Sequence, residues 1–426
     1  MNILFDFITV QTKTGAGEYH RKVFFELLNT IEKNQARDVK IMALFNSASG
    51  IAYDDLLPES LSNYPFVSFV DCWGRNIDEI VDELHIDTFF IACTQYLRNC
   101  ASIGSVNCRV ICVTHDIASE DLANNRIIDY LQLLRPESQK PMRFSWWRRA
   151  ILKSFFPKQF HCMDKFIDTY LYLKHNNTQS LLTGQIEYAV CLKKNNPKAR
   201  LIAVSNFTKL SMVYHYGIKE EDITVLYSPE RIYEPRNKSK EAKNQTLLDI
   251  IESGKKYYLM VSADRDHKNP FKVIKAFGRF QSLHPESYIV TIGLAESSFN
   301  HHICLPFLND EDLALAYKYC HALIYPSFIE GFGYPPLECM RHGKPVLASN
   351  STSIREILGD APIYFCPFYE SEIFQALCTF VKQDYQALQK KSLERYESVH
   401  LRQEEDLNTL TNMIIGNQQP DKQALD

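Results

Sequence analysis

Residues 330–338 read Glu-Gly-Phe-Gly-Tyr-Pro-Pro-Leu-Glu. Glu330 and Glu338 flank a glycine turn that leads into a helix, with Pro335 near its first position and Gly343 just past its end. That frame predicts a helix of about two turns. Upstream, residues 321–327 read as a short buried strand running into a loop, so the unit is strand, glycine turn, helix. At such a helix start the amides of Gly331 to Tyr334 have no partners within the helix and carry the positive end of its dipole, which suits an anion. Glycine at 331 and 333 lets the backbone approach a diphosphate with no Cβ in the way. Glu330 before the turn and Glu338 beyond it are placed to address opposite ends of one ligand, and a sugar nucleotide has that shape.

Outward from the turn, short apolar runs alternate with helical stretches, the pattern of parallel α/β sheets. Candidate strands are 3–5, 40–45, 66–70, 88–91, 110–114, 201–204 and 223–226 in the first half. A second set comprises 257–261, 288–292, 322–324, 346–348 and 363–365. Residues 234–245 between them are too charged for a core and read as a link. A chain of 426 residues has the length for two domains with separate cores, expected over 1–232 and 246–399. If they face each other across a cleft, the informative loops are those that follow strands.

Composition narrows the class. The net charge of −4 excludes no partner class by itself but offers no global basic field for nucleic acid, and no nucleic-acid partner is expected. Twelve cysteines are scattered without C-x-x-C spacing, several of them in apolar runs (Cys93, Cys112, Cys304). They read as reduced core residues of a cytosolic protein. The first six residues lack a basic region and read as a strand rather than a signal peptide, and no apolar run is long enough to span a bilayer.

The 330–338 turn and its surroundings resemble the retaining glycosyltransferases of family 4 (glycosyl transferases group 1), which share an E-x7-E signature of this spacing. Stretches 305–313, 321–327, 343–349 and 353–361 are similar to that family in its order. The resemblance implies the α/β GT-B fold, two Rossmann-like domains facing across a cleft, with residues 400–426 packing back on the first domain through a helix near 401–415. It implies transfer of a hexose from a nucleotide sugar to a glycan or polyprenyl-linked acceptor in surface polysaccharide synthesis. The 330–361 block suggests mannose from GDP-mannose, with UDP-linked glucose, galactose or N-acetylhexosamine as competitors. Neither a cofactor nor a metal is expected.

By the same resemblance, Glu330 would hold hydroxyls of the donor sugar, Glu338 the ribose hydroxyls, and Leu308 with its loop the base. Gly331, Phe332 and Gly333 would face the diphosphate. Lys268, in the run Arg265-Asp266-His267-Lys268-Asn269, matches the family's Lys-Asn pair and would neutralise the departing diphosphate. Arg265 is the expected second cation, although His267 stands at one of the offsets where family members carry arginine. His115, in a Thr-His-Asp run after a strand, would contact the transferred sugar, with Asp116 orienting its ring. Gly15 and Gly17, in a loop over 12–19 ahead of a helix over 19–28, would approach the donor phosphates; His20 stands where G-x-G-x-x-G needs its third glycine. Ser351 and Thr352 sit where the family's loop nears the phosphates. His115, Lys268 and Glu330 are thus the expected catalytic residues, because fixed positive groups at the phosphate end should dominate the breaking of an anomeric C–O bond.

Other motifs have plainer readings. Ser353 and Glu356 spell a capping box, and residues 205–208, Ser-Asn-Phe-Thr, read as an N-cap after a strand. Asp264-Arg265-Asp266 spells D-x-D, but the basic residue between the acids and Lys268 just after them do not favour a divalent ion. Between Arg135 and Gln159 lie seven basic residues and one acid, with Trp146, Trp147, Phe144, Phe155 and Phe156 among them. Residues 142–158 have the composition of a helix at a lipid interface, or of a core helix with solvated basic residues. The first reading places the protein in the cytoplasm, peripheral on the inner face of a membrane. Two further functions stay open: another GT-B enzyme, such as a nucleotide-sugar epimerase or a phosphorylase, and a non-catalytic partner subunit.

Overall fold

A computed structural model describes residues 1–8, 15–36, 38–49, 61, 64–93, 106–116, 196, 198–231 and 244–417. Residues 142–158 and nearly all of the 234–245 link lie outside these. The first sheet contains β1 (Asn2–Asp6), β2 (Lys40–Phe45), β3 (Val67–Asp71), β4 (Thr88–Ile91), β5 (Arg109–Thr114), β6 (Arg200–Ala203) and β7 (Ile223–Val225), in the order β3-β2-β1-β4-β5-β6-β7. The second contains β8 (Tyr257–Met260), β9 (Tyr288–Ile292), β10 (His302–Leu305), β11 (Ala322–Tyr325), β12 (Val346–Ser349) and β13 (Ile363–Phe365), in the order β10-β9-β8-β11-β12-β13. All pairings are parallel, for example Ile3↔Ile41 and Leu323↔Val346. Both orders are doubly wound, and each sheet has its switch point where the order reverses, between β1 and β4 and between β8 and β11.

The central strands form where apolar residues run on without alternation, as expected when helices cover both faces. Residues 88–91 and 322–325 are buried throughout. Strand β10 escapes that logic. It is an edge strand with a half-buried pattern, and His302 and Cys304 interrupt its apolar character.

Among the described residues the helices are α1 (Gly15–Lys33), α2 (Ile77–Glu83), α3 (Asn206–Tyr216), α4 (Gln245–Glu252), α5 (Pro270–Leu283), α6 (Asp310–Tyr319), α7 (Tyr334–Met340), α8 (Ser353–Leu358), α9 (Glu370–Phe380) and α10 (Tyr385–Ile414). Two expectations need correction here. Helix α1 starts at Gly15, so Gly15 and Gly17 belong to its first turn, and Gly17 is buried there. The cores are also not separate. One apolar cluster runs from Ile3, Phe24 and Leu27 through Tyr227 and Phe332 to Leu259 and Leu323, while each sheet's other face has a cluster of its own. Tyr227 and Phe332 bridge the lobes edge to face at 5.4 Å.

Helix α10 closes the other side of that junction. It is 30 residues long, hence about 45 Å, and begins well before residue 400. Its first half lies on the second lobe, where Arg395 donates to the carbonyls of Ile357 (2.8 Å) and Glu356 (2.7 Å) near the end of α8. Its second half lies on the first lobe, where Asp406 accepts the Tyr227 amide at 2.7 Å and the Ile414 carbonyl accepts Arg109 Nη2 at 2.8 Å. Val399, Gln403, Leu407, Leu410 and Ile414 make the buried stripe, with the three- and four-residue spacing of a helix face. No helix among the described residues is long and apolar enough to cross a membrane. The nine described cysteines are all free. Cys112 is buried as expected, whereas Cys93 and Cys304 are only partly so.

Candidate active site

The second sheet's switch point gathers the charges. Lys268 follows β8 and Glu330 follows β11, the two strands on either side of the reversal. Lys268 ends a 3-10 turn over Asp266–Lys268, and Asn269 then takes a left-handed conformation (φ 57°, ψ 44°) that turns the chain into α5. Asn269 is buried and donates to the Pro367 carbonyl at 2.8 Å, so the Lys-Asn pair divides its work. Asn269 shapes the loop; Lys268 enters the site. Two facing loops are joined as the Phe328 amide donates to the His267 carbonyl at 2.9 Å.

Lys268 is only 5% exposed. Its ammonium forms an ion pair with Glu330 Oε1, lies 3.0 Å from Tyr325 Oη, and sits 4.7 Å from the centre of the Tyr325 ring. Burial, the largest single influence, would raise the Glu330 carboxyl; Lys268 and His267, with hydrogen bonds from Lys268 and Ser327, together outweigh it and hold the group below its ordinary value. Tyr325 is pushed well up, by burial and then by Glu330. A largely buried carboxylate, a buried ammonium and a neutral phenol thus form one unit. The ammonium has three protons, and two of them face the partners just named. Removing either charge would leave the other buried and uncompensated, at a cost of about 3–5 kcal/mol.

From Glu330 the chain enters the glycine turn. The Glu330 amide donates to Thr352 Oγ1 (3.1 Å), and Ser353 Oγ donates to the Glu330 carbonyl (2.8 Å). Thr352 is itself at φ 52°, ψ −135°, a conformation that a β-branched residue adopts only under constraint. Gly333 caps α7 at φ 95°, which calls for glycine, and Pro335 stands in the first turn as expected. Gly331 is a glycine for a different reason from the one anticipated. A Cβ there would collide with the carbonyl oxygen of His115, so the close approach is to the other lobe.

Glu338 is 9% exposed and projects from α7. Arg231, from the segment that leaves the first lobe, brings Nη1 to 3.8 Å of Glu338 Oε1 and Nη2 to 2.8 Å of Asp310 Oδ1. A small crevice lies beside it, lined among others by Tyr334, Leu337, Glu338 and Arg231. Leu308 packs partly against the core, and the next residue, Asn309, caps α6 by accepting the Asp312 amide at 2.8 Å.

The first lobe contributes His115, just past β5. Its Nε2 lies 3.1 Å from the Ala92 carbonyl, an acceptor only, so Nε2 carries the proton and Nδ1 is left as an acceptor. Burial lowers its pKa to about 4 despite that bond. The Ala92 carbonyl therefore sets the tautomer expected of Asp116, and the ring is neutral near pH 7 rather than made more basic. Tyr19 packs edge to face on it at 4.7 Å. Gly15 faces the Tyr334 ring, where a Cβ would find only ordinary contact at 3.9 Å, so this packing does not demand glycine.

Not every expected residue joins the cluster. Arg265 is exposed on the loop ahead of Lys268, and Asp264, the first acid of D-x-D, is exposed beside it. His267 is held near a pKa of about 4 by burial and then by Lys268, so it does not replace the missing arginine as a cation at neutral pH. Among the described residues no three His, Cys, Asp or Glu side chains group as metal ligands would. The capping box is corrected too. Thr352 stands at the N-cap of α8, and Glu356 instead points across to the first lobe. Sequence reasoning missed Tyr325 and Arg231. Tyr325 ends an apolar run like any strand residue, but a phenol at the mouth of a central strand was a usable signal. Arg231 carried none.

The family model described as glycosyl transferases group 1 matches residues 249–394. The serotype-specific mannosyltransferase WbdA of Escherichia coli is 35% identical over 158 residues, which is 34% of this chain and 19% of that protein. Among solved structures, HepE of Anabaena, crystallised with UDP and glucose, aligns over 96% of this chain and 99% of its own with a TM-score of 0.57 at 15% identity. WaaG, a glycosyltransferase involved in lipopolysaccharide biosynthesis, aligns over 98% of this chain and 100% of its own with a TM-score of 0.57 at 13% identity. Together with the two sheets described above, these alignments establish the GT-B fold. The matched stretch spans only about a fifth of the length of WbdA.

Proposed function

We propose that this chain is a retaining glycosyltransferase of family 4 that moves a hexose, mannose from GDP-mannose in the first instance, to a glycan or polyprenyl-linked acceptor in surface polysaccharide synthesis, without a metal. The observation that carries the proposal is the Lys268–Glu330–Tyr325 unit at the switch point of the second sheet, beside the glycine turn. The resemblance to WbdA favours mannose. HepE, of the same fold, holds UDP and glucose, so UDP-sugars belong in any donor panel.

In this reading the diphosphate lies against the amides after Glu330, with the Lys268 ammonium offering its remaining proton to a phosphate oxygen. As the anomeric bond breaks, negative charge grows on the phosphate, and fixed donors aimed at it need no reorganisation. Glu330, held ionised, accepts hydroxyl protons of the sugar. His115 offers a neutral Nδ1 acceptor from the opposite lobe. Retention follows if the acceptor hydroxyl attacks the face that the leaving group vacates and a phosphate oxygen takes its proton, which asks for no protein base. Contact of the two lobes at the turn keeps water from competing.

The test is release of nucleoside diphosphate from GDP-mannose, UDP-glucose, UDP-galactose and UDP-N-acetylhexosamines, with and without EDTA. Wild-type protein should hydrolyse one donor slowly, unaffected by EDTA, and Lys268→Ala should lose roughly 100-fold or more. Calorimetry alongside separates that loss from unfolding. Failure to turn over any donor, or a Lys268→Ala protein that is folded and fully active, would remove the proposal.

A further inference from the structure

The N-terminus of α3 sits between the lobes and grips the glycine turn. Ser205, wholly buried, is its N-cap and accepts the Thr208 amide at 3.1 Å. The same hydroxyl donates to the Gly331 carbonyl across the interface at 2.7 Å, with Thr208 Oγ1 3.4 Å from that carbonyl. Glu356, from α8, completes the grip from the second lobe. Its Oε1 accepts the Asn206 amide at 2.8 Å and its Oε2 the Phe207 amide at 3.1 Å, while Tyr227 Oη donates to Oε1 at 3.2 Å. One lobe thus lends the carboxylate that caps the other lobe's helix, where the dipole favours it. Helix α3 also has a left-handed glycine end and buries Met212 in a cluster of the first lobe, so it has supports besides this contact.

Gly331 is consequently fixed from two sides by the first lobe. Ser205 holds its carbonyl, and the His115 carbonyl occupies the space above its Cα. The Gly331–Phe332 peptide plane, which aims the Phe332 amide, is set by a contact that exists only while the lobes meet. By contrast, Lys268, Glu330 and Tyr325 all belong to the second lobe and hold one another without such a meeting.

We propose that Ser205 and Glu356 form a latch that positions the donor turn: docking of α3 on the second lobe orients the Gly331 peptide for the transition state and contributes little to holding the nucleotide. The proposal rests on the glycosyltransferase reading for its kinetic consequence, but not for its structural one. Ser205 and Glu356 are positioning residues; neither is placed against the substrate.

The experiment combines hydrogen–deuterium exchange over residues 330–334 with kcat and GDP affinity, in wild type, Ser205→Gly and Glu356→Gln. Glycine serves almost as well as serine at an N-cap, so Ser205→Gly removes the bond to Gly331 while sparing α3. Exchange at 331–334 should rise roughly tenfold in Ser205→Gly, the effect of one buried hydrogen bond, with a smaller rise in Glu356→Gln. Turnover should fall roughly tenfold while the Kd for GDP stays within about twofold. Unchanged exchange in both variants overturns the latch. So does a uniform rise across α3 and the second sheet with a matching loss of GDP affinity, which would mark Ser205 as merely structural. Should wild type turn over no sugar nucleotide while exchange at 331–334 still responds, the glycosyltransferase reading fails and the latch stands.

Discussion

The two sheets of this protein have the same strand order up to the added β7, yet their switch points hold different chemistry. At the second, Lys268 and Glu330 face each other as full charges beneath a helix N-terminus. At the first, β1 and β4 are followed by the start of α1 and by Ala92, whose carbonyl holds a histidine that burial keeps neutral. A shared fold supplies two equivalent crevices; only the side chains decide that one is electrostatic and the other steric. The lobes meet where the charged crevice's turn presses on the neutral crevice's backbone, at Gly331 and His115.

That division is most directly broken at Gly331. Alanine there would drive a methyl into the His115 carbonyl, a backbone atom that cannot swing away as a side chain end would. Overpacking of this kind costs about 1–3 kcal/mol, and here the cost falls on lobe contact. We expect Gly331→Ala to lose roughly 10–100-fold in kcat, with GDP affinity of the second lobe largely kept. Isothermal titration beside steady-state kinetics checks this. An equal loss in both would show that the glycine serves the diphosphate rather than the interface.

The neutral side of the comparison predicts a pH dependence. Burial holds His115, His267, His302 and His321 near a pKa of about 4, against an ordinary value of 6.5. With the folded pKa depressed, the unfolded chain takes up protons first as pH falls, so stability is complete above about pH 6.5 and is lost toward pH 4. The melting temperature should drop by roughly 5 °C or more between pH 7 and pH 5, while kcat shows no step near pH 6.5 from His115. A kcat titration centred near 6.5 that vanishes in His115→Ala would overturn the assignment of a neutral ring.

How much of this could be read beforehand differs between the lobes for a physical reason. The second site is local. Lys268 and Glu330 each lie in the loop that follows a strand, and the glycines, prolines and carboxylates of 330–338 encode turn, helix start and both acids within one short run. Strand β10 was invisible because an edge strand can afford His302 and Cys304. The latch was legible only by halves. Residues 205–208 do cap a helix, but nothing in Ser353-Ile354-Arg355-Glu356 tells that Glu356 serves a helix 150 residues away rather than its own. Pairings between lobes depend on how two finished sheets dock, which no short-range pattern records. The same limit hid Arg231 beside Glu338.

The smallest expected effect separates the two cations of the loop over 264–269. Lys268 is buried, so its field acts through protein, whereas Arg265 stands in solvent on the same loop and is screened. An exposed cation of this kind contributes about 0.2–1 kcal/mol, hence Arg265→Ala should cost only about two- to fivefold in kcat/KM. Most of that loss should appear in KM and fade as salt is raised from 50 to about 300 mM. The loss in Lys268→Ala, by contrast, should persist across the same salt range. If Arg265→Ala instead fell 100-fold with no salt dependence, Arg265 would have to leave solvent and enter the crevice when the donor binds. The charged half of the comparison would then belong to a loop that rearranges, rather than to one that Asn269 and the Pro367 carbonyl hold in place beforehand.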